Sequence, residues 1–421
     1  MNHSRSSSSP STRQCRIICV PFLRGSYSSF IKNAALFREN LDENINRFPE
    51  LFPEEIEQGY RMKDLYWSKR LGLWIRRIEV QGISYTIRPS FVTPYLTGWV
   101  DDVEKALFLR KFSVPFWALA YAFGKNTMYW YRLEQALGRQ PIVGTTIRQA
   151  EDLPEHVVAD EKHSRIRGDK SYIATTCANG CVLGVSVANN AGEAALTQSY
   201  GVFKAEAQQV QPDYQPKTVN TDGWPATQLA WRNLFTHILL IACFLHVYIK
   251  LRDRSKLKFK ELFRTVADRL WECYKAPSKA SFTQRLRRFA EWARKVDDIP
   301  DFMLKKIEKL RSQASSFSVA YDFPGAYRTS NALDRLMQRM DRHLFATQYF
   351  HGSPVAAEHT IRAWALVSNF APSNPHTTRI HSGLSSPAER LNQFRYHDNW
   401  LQNLFISGSQ KGIFRPPQNP G

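Results

Sequence analysis

The chain has 421 residues, 43% of them apolar and 23% charged, enough for two or three domains with a buried core. Its 57 Lys and Arg against 38 Asp and Glu leave a net charge of +19, which points to a polyanionic partner, nucleic acid before an anionic membrane surface. The best candidate for a membrane span, Phe235 to Ile249, has 15 positions and contains two histidines, short of the ~20 apolar residues needed, and the six cysteines have neither the number nor the spacing of a disulfide framework or a zinc knuckle.

Residues 1–25 read as a lead-in. The first 13 are Ser-rich and cannot build a core, and the apolar stretch Ile17 to Leu23 is broken by Pro21, so no secretory signal is expected and the location is cytoplasmic, with reduced thiols. Residues 26–98 carry an amphipathic helix near Asn33 to Arg47, then strict alternation from Leu73 to Ile87 about Gln81-Gly82, a β-hairpin.

In residues 99–145 a helix over Asp101 to Phe112 is broken at Pro115. A short helix, Phe116 to Phe123, follows, and Gly124-Lys125-Asn126 turns into a third over Thr127 to Leu137. That is the organisation of a helix-turn-helix. Its last helix would lie in the major groove, with Lys125, Asn126, Thr127, Tyr131 and Arg132 reaching phosphates and base edges. Three core helices with a polar surface is the competing reading.

After Pro141 the pattern becomes strand (His156 to Asp160), strand (Lys170 to Thr176), strand (Val182 to Val187), helix (Gly192 to Gln208), strand ending at Asp222, helix from Pro225 to Leu234, strand (His237 to Ala242). This is the element order of an RNase H-like α/β core, a mixed five-stranded sheet with helices. The expected core spans residues 150–249 and 321–372. Between them, residues 250–320 form an all-α insertion that is strongly basic: from Lys250 to Arg311 there are 19 Lys or Arg against 9 Asp or Glu. A solvated helical face is the plain reading; a DNA-contacting surface that includes Arg285, Arg287 and Arg288 is the functional one. Helices over Ser330 to Phe345 and Glu358 to Asn369 follow, and residues 373–421 read as a C-terminal tail, loose beyond Ser407.

Asp160 closes the first strand of this reading and Asp222 the fourth, and in an RNase H-like sheet those strands lie side by side. Carboxylates meeting there could hold hard divalent ions, and two such ions stabilise both oxygens of an in-line displacement at phosphorus.

Three blocks carry a resemblance. Ala159-Asp160-Glu161 with Arg167 to Ile173, and then Asn220-Thr221-Asp222-Gly223-Trp224-Pro225, are similar to the first two acidic blocks of bacterial insertion-sequence DDE transposases. Cys243-Phe244-Leu245-His246 resembles the C-x-x-H signature of their Mutator-like group. Thr329-Ser330-Asn331-Ala332-Leu333-Asp334-Arg335 is similar to the helix bearing the third carboxylate, with Asp where that family has Glu, one methylene shorter.

The resemblance implies Asp160, Asp222 and Asp334 as catalytic, metal-holding residues for two Mg²⁺ or Mn²⁺ ions, with Glu358 as a fallback third ligand. Cys243 and His246 would pack or hydrogen-bond beside the site, because two ligands do not close a zinc site. The partners implied are double-stranded DNA at element ends and target, in the bacterial nucleoid, and a second copy of the chain, since two ends must be joined. No membrane partner is implied. A transposase reduced to DNA binding, or a structure-specific nuclease on the same fold, is the alternative.

Overall fold

The computed structural model describes residues 16–94, 98–255 and 259–414. In the N-terminal part, β1 (Ile17–Val20), β2 (Arg61–Ser68), β3 (Leu73–Val80) and β4 (Ile83–Pro89) form one sheet in the order β1-β4-β3-β2. The expected hairpin is β3–β4: Val80 lies opposite Ile83, and Gln81 and Gly82 both take positive φ, 46° and 77°, the backbone of a tight hairpin turn.

The lead-in assigned to residues 1–25 is corrected in part. Ile18, Cys19 and Val20 have no exposure, β1 pairs in parallel with β4, and the helix Arg24–Phe30 follows. Four residues give no periodicity to read, and the partner strand is more than sixty positions away in sequence. Residues 1–15 lie outside the described residues.

The three helices expected next occur as Val100–Arg110, Phe116–Phe123 and Thr127–Leu137. A buried ion pair, Arg110 Nε to Glu134 Oε2 at 2.6 Å, ties the first to the third.

The second sheet contains β5 (His156–Ile166), β6 (Asp169–Ala178), β7 (Cys181–Ala188), β8 (Thr218–Thr221) and β9 (Leu239–Ala242), in the order β7-β6-β5-β8-β9. The first three are antiparallel; β8 runs parallel to β5, and β9 parallel to β8. The chain is thus mixed α/β, with the first and fourth strands of this sheet adjacent. Side chains alternate between its faces. Val157, Ala159 and Leu183 share a core with Tyr200, Phe203 and Trp231 of the helices Glu193–Val210 and Pro225–Leu234. On the other face Val158, Ile173 and Val185 share a core with Leu333, Met340, Ile361 and Trp364 of the helices Asn331–Ala346 and Pro354–Phe370.

That second core runs on without a break into the N-terminal sheet, the three helices and the C-terminal helix Trp400–Ser407. The tail assigned to residues 373–421 is therefore also corrected: Trp400, Leu401, Leu404 and Phe405 are buried, Ser409 Oγ accepts from Cys19 N at 2.9 Å, and Ser90 Oγ donates to Gln402 Oε1 at 2.7 Å. Residues beyond 414 lie outside the description. Helix packing closes tightly at Gly138, where a Cβ would stand 1.9 Å from the His359 carbonyl oxygen, so only glycine fits.

The basic stretch folds as the helices Phe244–Ser255, Lys260–Tyr274, Lys279–Lys295 and Asp301–Ser312, around a core of their own that includes Phe244, Leu270, Phe282, Phe289 and Ile307. Among the described residues, no helix is long and apolar enough to cross a membrane.

Candidate functional site

Asp160 does not end its strand. β5 continues to Ile166, and Asp160 sits mid-strand opposite Thr175, because alternation persists through Lys162, Ser164 and Ile166 although polarity rises. It falls on the face of Val158, towards the helix Asn331–Ala346, against which β5 packs. β8 does end just before Asp222. The parallel register pairs His156 with Thr218 and Val158 with Asn220, and its continuation sets Asp222 level with Asp160. Beyond Asp222 the chain turns at Gly223, φ 90°, and Pro225 opens the next helix. Asp222 Oδ1 accepts from Trp224 N at 2.7 Å and shapes this turn.

Asp334 lies in the first turn of the helix Asn331–Ala346. Ser330 Oγ stands 3.0 and 3.1 Å from its two carboxylate oxygens. Ser330 is in turn held by Cys243: its backbone N donates to Sγ, and Sγ donates to its Oγ, each at 3.2 Å. Cys243 leaves β9 with its own N bonded to Thr221 O at 2.8 Å, one residue from Asp222. Cys243 thus splices the Asp222 strand end to the helix bearing Asp334.

Asp160 feels the charges of both Asp222 and Asp334. Asp160 is pushed up to about 7, first by burial and then by the charges of Asp222, Glu161 and Asp334, against the hydrogen bond it accepts from Glu161 N. Burial also raises Asp334, opposed by Ser330 and by His246. His246 is lowered by burial, while Asp222 and Asp334 pull it back and Lys250 and Lys306 push it further down. The motif histidine therefore lies within electrostatic reach of two of the three carboxylates.

Glu161, next to Asp160 on β5, faces the opposite side of the sheet. Its Oε1 accepts from Tyr200 OH and from Thr227 Oγ1, both at 2.6 Å, and burial raises it. It lies behind Asp160 and adds negative charge there. Two adjacent acids on a strand were the only signal that could have marked it.

As the side chains lie, no three His, Cys, Asp or Glu among the described residues converge on one point in ligand geometry. Asp160, Asp222 and Asp334 each spend a carboxylate oxygen on a local donor. The donor type still suits a hard divalent ion: oxygen ligands with surplus negative charge, half-buried, on three separate elements.

Glu358 is not part of this group. Its Oε2 accepts from Val187 N at 2.7 Å over β7, two strands away from β5, and burial pushes it up to about 7.

In the three-helix region Lys125, Asn126, Thr127 and Arg132 are exposed along the start of the third helix. Asn126 has a structural duty, since its side chain accepts from Tyr129 N at 2.8 Å and caps that helix. Tyr131 is half-buried, its ring 5.9 Å from that of Phe116. Of the insertion arginines, Arg285 donates to Glu272 O at 2.6 Å and Arg287 pairs with Glu291 at 3.6 Å; Arg288 is exposed and shares a pocket with Arg285 and Arg269.

No protein-family model and no curated protein matches the chain.

Proposed function

We propose that the chain is a DNA transposase of the DDE type, an RNase H-like enzyme that cuts and rejoins DNA with Asp160, Asp222 and Asp334. The observation that carries this reading is that Asp160 on β5 lies within electrostatic reach of Asp222 at the end of β8 and of Asp334, on a helix that begins 165 residues beyond the end of β5. The sheet order β7-β6-β5-β8-β9, with β5 and β8 parallel and adjacent, supports the RNase H-like assignment. The charge of +19 supports a DNA partner.

Asp160, Asp222 and Asp334 would hold Mg²⁺ or Mn²⁺. Bound there, two such ions supply charge neutralisation at phosphorus and an activated oxygen nucleophile. The chain's own residues do the rest. Cys243 and Ser330 set the position of the Asp334 carboxylate, Glu161 adds negative charge from behind Asp160, and the exposed Lys125, Thr127 and Arg132 offer contacts to duplex phosphates. A dimer on DNA follows from the need to join two ends.

One observation favours a second reading, a DNA-binding protein without catalysis. Asp334 is shorter than the Glu of the family it resembles and is held back on Ser330. The test is incubation with duplex DNA carrying the sequences that flank the reading frame, with Mg²⁺ or Mn²⁺. Strand transfer by wild type, lost in Asp160→Ala, Asp222→Ala and Asp334→Ala, supports the enzyme. Tight binding with no cleavage under any metal supports the second reading.

A further inference from the structure

A cavity of about 180 Å³ opens beside Asp222 and His246, between the second sheet and the basic helices. Its lining is mostly donors: Lys250 from the helix Phe244–Ser255, Lys306 and Lys309 from Asp301–Ser312, and Gln228 from Pro225–Leu234. Among the described residues, Asp222 is the sole carboxylate in the lining.

The lysines are not neutralised from within. Among the described residues no carboxylate pairs with Lys250, Lys306 or Lys309, although acids nearby are paired to other cations: Asp301 with Lys305 at 2.6 Å, and Glu308 with Arg294 at 2.7 Å and Arg311 at 3.3 Å. Lys306 is half-buried, and burial together with Lys250, Lys309 and Arg254 holds it below the ordinary lysine range. His246 Nδ1 is buried with no hydrogen-bond partner. Lys250 and Lys309 are exposed and Lys306 is half-buried, so three like charges on two packed helices line one cavity, a setting that favours an anion between them.

We propose that this cavity is a phosphodiester-binding pocket, in which Lys250, Lys306 and Lys309 grip the DNA backbone phosphate next to the one that reaches Asp222. The proposal rests on the transposase reading for its choice of DNA, and it assigns the insertion a specific task, clamping one strand at the carboxylates. The pocket is anionic at its Asp222 edge and cationic beyond, so a strand would lie with one phosphate at the carboxylates and its neighbour among the lysines.

The experiment uses the full chain and a 5′-fluorescent oligonucleotide, single-stranded or duplex, with binding followed by anisotropy across a salt series in chelator. Each phosphate that a protein neutralises contributes about 0.7–0.9 to the slope of log K against log salt. The variant Lys250→Gln/Lys306→Gln/Lys309→Gln, which gives up the one phosphate held among the lysines, is expected to lose about 0.7–0.9 from that slope. Lys305→Gln, one residue away but paired with Asp301, should leave it unchanged. Lys306→Arg, which keeps the charge, should leave the slope at its wild-type value, and matched thermal melts separate loss of grip from loss of fold. Inorganic phosphate in a second arm should compete only at millimolar levels; competition at micromolar levels would overturn the DNA assignment in favour of a free phosphate ligand. An unchanged slope in a folded triple variant overturns the pocket. If DNA is cleaved with the expected carboxylate dependence while that slope is unchanged, the pocket fails and the enzyme stands. If the slope falls and no metal supports cleavage, the pocket stands and the catalytic reading fails.

Discussion

Replacing Asp160 by Asn should stabilise the metal-free protein, increasingly as pH rises from about 4 and fully above about 7. The native carboxyl is pushed from its ordinary 3.8 to about 7, chiefly by burial and then by Asp222, Glu161 and Asp334. Between those two values the native state keeps a proton that the unfolded chain releases, so stability falls as pH rises through this window, and the whole penalty is present above about 7. At about 1.4 kcal/mol per pH unit the ionised native site costs up to about 4 kcal/mol. Below pH 4 both states are protonated and the penalty vanishes. Asn keeps the acceptor that takes the Glu161 N–H at 2.8 Å, so no hydrogen bond is lost. Urea unfolding in chelator should find the variant several kcal/mol more stable than wild type at pH 8 and equal to it at pH 4. Adding Mg²⁺ or Mn²⁺ should stabilise wild type at pH 8 far more than the variant. A variant equal to or weaker than wild type at pH 8 would refute the idea that these carboxylates repel one another in a shared, half-buried site.

Glu206→Ala should cost about 3–5 kcal/mol in urea unfolding, because it strands the fully buried Arg362, which Glu206 pairs and which also donates to Gly138 O and Gln140 O; a loss below about 1 kcal/mol would contradict it. Gly138→Ala should cost about 1–3 kcal/mol or prevent folding, read by the same unfolding curves, since its Cβ meets the His359 backbone. Ser330→Ala should lower strand cleavage while costing only about 1 kcal/mol in stability, and cleavage equal to wild type would show that Asp334 needs no such positioning. Asn126→Ala should lower the melting midpoint, losing about 1 kcal/mol of helix capping, whereas Arg132→Gln should leave melting alone and reduce the salt slope of DNA binding.

Elements with strong local signals were legible in the sequence. The hairpin at Gln81-Gly82, the three helices around Pro115 and Gly124, and the strand-to-helix turn Asp222-Gly223-Trp224-Pro225 all follow from turn chemistry and short-range periodicity. What escaped depends on partners distant in sequence. Ile17–Val20 becomes a strand because β4 and the helix Trp400–Ser407 bury it, and the C-terminal residues become structured for the same reason. The second half of β5 is polar, so the sequence pattern ends the strand at Asp160, whereas the strand runs six residues further, to Ile166. In the site, Asp222 was marked by its turn. The Cys243–Ser330–Asp334 linkage and the three unpaired lysines needed the fold to bring residues 243–250 and 306–334 together.

The central claim is that Asp160, Asp222 and Asp334 share divalent ions. Mn²⁺ binding to the full chain on duplex DNA, followed by electron paramagnetic resonance, tests it most directly. Two ions per chain in wild type, with loss of at least one in each of Asp160→Ala, Asp222→Ala and Asp334→Ala, is the result predicted. Undiminished Mn²⁺ binding in the Asp160→Ala and Asp222→Ala variants, both folded, would contradict it.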